Sequence, residues 1–131
     1  PEIYRFTNPE KEVAGIADLI STFKKSGYKS LGIVCKTELQ AKEIDEQLKK
    51  YTDEVYFLSN QSTAFVKGII ITSAHMAKGL EFDEVIIPQT DNKNYHSEID
   101  RSMLYVATTR AMHKLTLTYS GRKSELLHNN T

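Results

Sequence analysis

The sequence of 131 residues lacks the features that identify disulfide-rich, membrane and secreted proteins. With one cysteine, Cys35, it cannot hold an internal disulfide framework, which suits a reducing compartment. Its apolar runs are only a handful of residues long, too short to span a bilayer. No basic segment followed by an apolar stretch opens the chain, as it would in a secretory signal. These absences predict a cytoplasmic protein with no membrane partner.

The sequence also lacks an excess of charge of either sign. Seventeen basic and 17 acidic residues give a formal net charge of zero, whereas a domain that binds nucleic acid through its overall field is usually strongly basic. Any nucleic-acid contact must therefore be local or shared with another domain. The length fits one globular domain, so we expect residues 1–131 to form a single domain. Since the first residue is not Met, we expect this domain to be part of a larger protein.

Several motifs of self-sufficient catalysts are missing. The phosphate-binding loop G-x-x-x-x-G-K-[ST] does not occur. The four histidines show no metal-ligand spacing with one another or with Cys35, and the residues after Asp91 do not follow a calcium loop. The sequence therefore predicts no metal ion held by this chain, and no ATP hydrolysis of the P-loop type by the chain alone.

Strand-like and helix-like segments alternate along the first half of the chain. A helix is predicted from Pro9 to about Lys25, and a second begins at Thr37, where Gln40 completes the pattern of a capping box. Strand-like runs separate them, and Ser59–Thr63 is predicted to be a loop. This alternation predicts an α/β domain with a mainly parallel sheet and helices on both faces. The predicted strands of this half are Ile3–Phe6, Leu31–Cys35 and Val55–Leu58.

A polar insert between two buried-strand signals is the first candidate site. The strands Ile69–Thr72 and Val85–Ile87 flank it, and ligands of open α/β sheets bind beyond the carboxyl ends of strands. Gly79 lets the backbone approach a ligand, and Glu81 can accept hydrogen bonds from a sugar. The other candidates are Thr72 and His75 as donors to a phosphate or base, and Lys78 as an anion contact. The simpler alternative is that Lys78 and Gly79 form a surface turn and that Glu81 is a solvated acid.

The second candidate is Arg110, at the end of a predicted helix that is followed by a strand. A guanidinium held rigidly in such a place can stabilise charge on a transferring phosphoryl group of a neighbouring domain. The alternative is that Arg110 binds the exposed carbonyls at the end of its own helix. Tyr105 and Tyr119 are predicted to be packing residues, and Gln89–Ser97 is predicted to be a surface loop.

Two long segments resemble known motifs. Ile71–Pro88, ITSAHMAKGLEFDEVIIP, resembles motif V of superfamily 1 helicases of the UvrD/Rep type, roughly T-x-H-x-x-K-G-L-E-F. Asp100–Tyr119, DRSMLYVATTRAMHKLTLTY, resembles their motif VI, with its Y-V-A-x-T-R-A core. The resemblance covers about Leu31 to Tyr119 and implies a RecA-like, three-layer α/β/α domain: the C-terminal motor domain of an ATP-dependent DNA helicase.

The resemblance implies a role for each candidate residue. Glu81 would contact the ribose of ATP, Gly79 would lie near its phosphates, and Arg110 would be the catalytic arginine finger on the γ-phosphate. Thr72 and His75 would face single-stranded DNA. The P-loop and the Mg²⁺ ion that accompanies ATP would belong to an N-terminal motor domain of the same protein, so the isolated domain is expected to be inactive.

The short form of the sequence leaves alternatives open. Only about twenty residues separate the helix Glu38–Lys50 from Ile69, so the large accessory domain of typical UvrD and Rep proteins is missing at this point. In this respect the chain is more similar to HelD-type (helicase IV-like) members of the family, some of which act on RNA polymerase. The same motor domain in a factor that binds and remodels RNA polymerase is therefore one alternative. A free-standing nucleotide- or nucleic-acid-binding module without catalysis is another.

Overall fold

The computed structural model describes residues 1–59 and 68–130. Most of the predicted loop Ser59–Thr63 lies outside the described residues. The predicted strands and helices are confirmed, and a short helix is added inside the polar insert. The strands are β1 Glu2–Phe6, β2 Ser30–Cys35, β3 Val55–Phe57, β4 Gly68–Ser73, β5 Phe82–Ile87 and β6 Ala111–Ser120. The helices are α1 Pro9–Lys24, α2 Glu38–Leu48, α3 Ala74–Ala77 and α4 Glu98–Thr108, followed by a 3₁₀ helix, Glu125–Asn130.

The six strands form one sheet in the order β1-β6-β5-β2-β4-β3, and every pair is parallel. Side chains alternate between the two faces of a strand. In β2, Leu31 and Ile33 therefore join α1 and α2 in one apolar cluster, while Val34 joins α3 and α4 in the other. Each face is thus covered by helices, and the predicted three-layer α/β/α arrangement is confirmed.

Local sequence signals explain where the first two helices begin. The side chain of Asn8 accepts a hydrogen bond from the backbone N of Lys11 at 2.8 Å, and Pro9 occupies the first turn of α1. At α2, Thr37 and Gln40 form the predicted capping box. Both motifs give hydrogen-bond partners to backbone N–H groups that a helix leaves free at its start.

The loop after β5 differs from its prediction as a surface loop. Tyr95 is only 1% exposed, and Thr90 is fully buried. The backbone N of Thr90 donates to the carbonyl of Thr118 in β6 at 2.9 Å, and the hydroxyl of Ser124 donates to the carbonyl of Tyr95. The polar residues of this loop are thus paired with β6 and with the segment that follows it. Composition does not show such pairing, because the partners are distant in sequence.

Two further predictions concern exposure. The prediction that Tyr105 is a packing residue is wrong: its side chain is 69% exposed, because it lies on the side of α4 that faces away from the sheet. Tyr119 is half-buried in β6, as expected for a packing residue. Within the described residues, no helix is both long enough and apolar enough to cross a membrane.

Candidate functional site

The segment 74–81 runs from the carboxyl ends of the strands to their amino ends. We call these two sides of the sheet the carboxyl edge and the amino edge. Both β4 and β5 pair with β2, and Leu31 lies opposite Ile69 on one side and Glu84 on the other. Since the strands are parallel, the chain that leaves β4 at the carboxyl edge must return to the amino edge before β5 begins. It does so through α3, which starts at Ser73, whose hydroxyl accepts a hydrogen bond from the backbone N of Met76 at 3.2 Å.

This crossing separates the candidate residues of the insert into two groups. Thr72 and His75 lie near the carboxyl edge, whereas Gly79 and Glu81 immediately precede β5 at the amino edge. The sequence pattern predicts that the whole insert lies beyond the carboxyl end of a strand. That placement is correct for the first group and wrong for the second, because β5 runs parallel to β4 and must therefore begin at the amino edge.

Arg110 lies beside the second group. The residue follows Thr109, the C-terminal cap of α4. Its guanidinium donates from Nη1 to the carbonyl of Leu80 at 3.4 Å, and its own carbonyl accepts from the backbone N of Phe82 at 2.9 Å. Arg110 is therefore hydrogen-bonded to the residues on either side of Glu81. Two segments that are about thirty residues apart in sequence meet at this point.

The alternative role of Arg110, binding the end of its own helix, is also present. Nε donates to the carbonyl of Val106 at 3.2 Å, and Nη2 donates to the hydroxyl of Thr109 at 3.1 Å. A guanidinium has five N–H groups in a planar fork, so these contacts and the one to Leu80 leave donors for a further acceptor. The helix contacts hold the half-buried side chain in one orientation without using all its donors.

Gly79 and Glu81 provide the rest of this surface. Gly79 has a φ of +83°, a left-handed conformation that favours glycine, and a Cβ there would meet no described atom within 4 Å. Glu81 is exposed. The surface therefore combines an accessible backbone, a carboxylate that can accept from hydroxyl groups, and a guanidinium suited to phosphate oxygens. A separate cavity of about 600 Å³ lies at the carboxyl ends of β1, β5 and β6, and neither Gly79, Glu81 nor Arg110 lines it.

The candidate nucleic-acid residues differ in accessibility. Thr72 is fully buried, and its hydroxyl donates to the carbonyl of Leu58 at 2.7 Å. His75 is exposed beside a shallow cleft of about 180 Å³ between α3 and α4, which Lys78 also lines. Counted back from His75, the T position of the T-x-H pattern is occupied by Ser73, which is not among the predicted site residues. The spacing within the motif is the signal that would have found it.

Two buried carboxylates, one on each face of the sheet, have shifted pKa values. Burial opposes ionisation of Asp100, but hydrogen bonds from the backbone of His96 and Ser97 and from Lys36 outweigh it and hold the pKa of Asp100 well below its usual range. On the other face, burial raises the pKa of Glu12, which accepts hydrogen bonds from Gln89 and Thr118. Within the part of the chain that the structure describes, no group of three or more His, Cys, Asp or Glu side chains could hold a metal ion.

The fold matches the C-terminal RecA-like domains of helicases. The C-terminal domain of a possible DNA helicase from Lactobacillus plantarum WCFS1 aligns with a TM-score of 0.87 and 29% identity, over 97% of this chain and 78% of that one. The C-terminal domain of the DEAD-box protein Dbp5 has a TM-score of 0.60 at 14% identity, over 98% of this chain and 79% of that one. At 14% identity, the similarity to Dbp5 is evidence for the fold alone.

Sequence comparison finds similarity to one family of helicases. Residues 68–118 match the UvrD-like helicase C-terminal domain. The chain is 47% identical over 53 residues to Gabija protein GajB of Bacillus cereus (strain VD045), which is 40% of this chain and 10% of that protein. It is 34% identical over 70 residues to DNA helicase II of Escherichia coli (strain K12), which is 46% of this chain and 10% of that protein. The chain is thus similar to the UvrD-like helicase C-terminal domain over part of its length, and the matched residues span about a tenth of the length of these relatives.

Proposed function

We propose that this chain is the C-terminal motor domain of an ATP-dependent DNA helicase or translocase. It completes an ATP site together with an N-terminal P-loop domain of the same protein and contacts single-stranded DNA. The observation that carries this proposal is the pair of hydrogen bonds between Arg110 and the neighbours of Glu81, one donated by its guanidinium and one accepted by its carbonyl. They bring a guanidinium and an exposed carboxylate from two motifs to one surface.

Each residue of this surface has a role in the proposed site. Glu81 accepts hydrogen bonds from the ribose hydroxyls, and the left-handed turn at Gly79 lets the backbone approach the phosphates. Arg110 meets the γ-phosphate as an arginine finger and stabilises the charge of the transition state. Both side chains have the chemistry to contact a nucleotide from one side, as expected for a site shared between two domains.

The Mg²⁺ ion that accompanies ATP belongs to the other side of the proposed site. The described residues hold no cluster of ligands for a metal ion, and the sequence has no P-loop. When bound, Mg²⁺ neutralises charge on the β- and γ-phosphates. This chain contributes the finger and the ribose contact, so closure of the two domains around ATP completes the site.

Single-stranded DNA lies at the opposite edge of the sheet in this proposal. His75 and Lys78 are exposed on the segment 74–81, and this segment ends at Glu81. A short stretch thus joins the nucleic-acid side of the domain to the nucleotide side. Since the net charge is zero, binding depends on such local contacts. The buried hydroxyl of Thr72 would have to leave the carbonyl of Leu58 to take part.

The experiment that tests the proposal is ATP hydrolysis by the full-length protein, with and without single-stranded DNA. We expect Arg110→Ala to lower hydrolysis about 10³-fold or more, by analogy with other arginine fingers. Arg122→Ala is the matched control, because Arg122 is exposed, pairs with Glu125 and lies at the other edge of the sheet. Near-normal turnover of Arg110→Ala would leave only the helix-capping role.

The DNA dependence of hydrolysis tests the second candidate function. The short connection between α2 and β4 leaves no room for a large accessory domain, and this favours a HelD-type factor that remodels RNA polymerase as the alternative. Hydrolysis that DNA stimulates strongly supports the helicase. Hydrolysis that is indifferent to DNA supports the alternative, and binding to RNA polymerase would then be measured.

A further inference from the structure

Helix α4 connects the two edges of the sheet. Its first turn contains Asp100, and Arg110 lies two residues beyond its last residue, Thr108. The helix packs on the sheet through Leu104 and Ala107, which are both buried. An α-helix is stiff along its axis because each turn is hydrogen-bonded to the next. A shift at the start of α4 therefore also moves the guanidinium at its end.

A buried ion pair fixes the start of this helix to the end of β2. Lys36 follows β2, and its Nζ lies 2.7 Å from Oδ1 of Asp100. The same Nζ donates to the carbonyl of Asn94 at 2.6 Å and lies 5.9 Å from the centroid of the Tyr95 ring. The Lys36 and Asp100 side chains are only 22% and 7% exposed. Solvent screens such a pair far less than an ion pair on the surface.

The other hydrogen-bond partners of Asp100 belong to the segment that starts α4. Its Oδ2 accepts hydrogen bonds from the backbone N of His96 at 3.0 Å and of Ser97 at 3.1 Å. Ser97 in turn accepts from the backbone N of Asp100 at 3.1 Å, which closes the capping box of α4. The carboxylate is thus shared between the helix cap and Lys36. Losing the lysine leaves a buried negative charge whose remaining partners all belong to the loop and the helix itself.

We propose that Lys36 and Asp100 are positioning residues, and that their ion pair sets the place of α4 and hence of the Arg110 guanidinium beside Leu80 and Phe82. The inference rests on the proposed function, in which Arg110 meets the γ-phosphate. It adds that a shift at the end of β2, at the carboxyl edge where His75 also lies, moves Arg110 on the nucleotide side of the domain. The register supports this link, since Cys35 at the end of β2 lies opposite Ser73 at the end of β4.

A second ion pair provides a matched control. Lys49 lies 2.9 Å from Asp45, and the side chains are 61% and 9% exposed, so a lysine that is more exposed than Lys36 meets a similarly buried aspartate. Both residues of this pair belong to α2 or its cap, on the other face of the sheet from α4. Neutralising Lys49 removes a similar interaction without affecting the start of α4.

The test compares the full-length protein carrying Lys36→Gln, Lys36→Arg, Lys49→Gln or Arg110→Ala with the wild type. The affinity of each for a non-hydrolysable ATP analogue and for ADP is measured with Mg²⁺, together with ATP hydrolysis and thermal stability. Only the ATP analogue carries the γ-phosphate, so the preference for it over ADP reports the position of Arg110. Glutamine keeps a donor for the carbonyl of Asn94, so Lys36→Gln is expected to fold.

We expect Lys36→Gln to lower hydrolysis and the preference for the ATP analogue roughly 3- to 30-fold, the range seen for residues that act on a site without touching it. The affinity for ADP should stay unchanged, because it depends on Glu81. Lys36→Arg should keep most of the hydrolysis and of the preference for the ATP analogue, and Lys49→Gln should behave as the wild type. An unchanged preference, or equal losses of both affinities that follow the loss of thermal stability, would overturn the positioning role.

The Arg110→Ala variant separates the two proposals. If it loses the preference for the ATP analogue but Lys36→Gln does not, the positioning role alone is wrong. If Arg110→Ala keeps the full preference, Arg110 does not meet the γ-phosphate, and the proposed function fails together with the inference built on it.

Discussion

Gly32 supports the candidate site from inside the sheet. It lies in the middle of β2, opposite Val85 of β5, and a Cβ at this position would come within 2.5 Å of Cδ2 of the Phe82 ring. Phe82 is 3% exposed, and its backbone N is the group that donates to the carbonyl of Arg110. The ring therefore occupies the space that a side chain at position 32 would need.

Gly32→Ala should destabilise the domain. Forcing one methyl group into a packed core costs about 1–3 kcal/mol. Replacing glycine by alanine restricts the unfolded chain and offsets roughly 0.4–1 kcal/mol of this. We expect a net loss of about 1–2 kcal/mol in the free energy of unfolding, which for a domain of this size lowers the melting temperature by about 3–8 °C.

The assay is urea unfolding of the chain followed by circular dichroism. Gly27→Ala is the control, because a Cβ at Gly27 would meet no described atom within 4 Å, so this variant should be as stable as the wild type or slightly more so. Phe82→Leu, alone and combined with Gly32→Ala, tests the cause. A smaller side chain leaves room for the methyl group, so the two losses should add up to more than the loss in the double variant.

Two results would refute this reasoning. The first is a Gly32→Ala variant as stable as the wild type, which would show that the Phe82 ring can move at no cost. The second is simple additivity of Gly32→Ala and Phe82→Leu. In that case the alanine destabilises the domain for a reason other than contact with the Phe82 ring.

Two further predictions concern the site and its helix. Glu81→Ala in the full-length protein should weaken nucleotide affinity more than the maximal rate of hydrolysis, because a ribose contact is similar in ground and transition states; a steady-state assay that finds only a rate defect would contradict this. The pKa of Asp100 in the folded protein lies below its ordinary value of 3.8. Its ionised form therefore stabilises the fold fully above pH 3.8, and this contribution is lost as the pH falls from there through the folded-state pKa. The stability difference between wild type and Asp100→Asn in urea unfolding should therefore shrink below about pH 3.8; a difference that is constant with pH would show that the carboxylate charge is unimportant.

The sequence alone determined most of the architecture. Apolar runs of strand length alternate with helical periodicity, and helix starts are marked by local signals such as Asn8-Pro9 and Thr37 with Gln40, because capping bonds form between residues close in sequence. The two motif-bearing segments, Ile71–Pro88 and Asp100–Tyr119, also resemble motifs V and VI of UvrD/Rep-type helicases by their residue patterns. These features depend on neighbours along the chain, so a linear pattern is enough to predict them.

The tertiary structure decided which residues meet. It divided the insert between two edges of the sheet, placed Arg110 against Leu80 and Phe82, and paired Lys36 with Asp100. It also buried Tyr95 in a loop whose composition predicts exposure. Each of these contacts joins residues far apart in sequence. They follow from the order and the parallel direction of the strands. Periodicity and spacing along the chain do not show either of these.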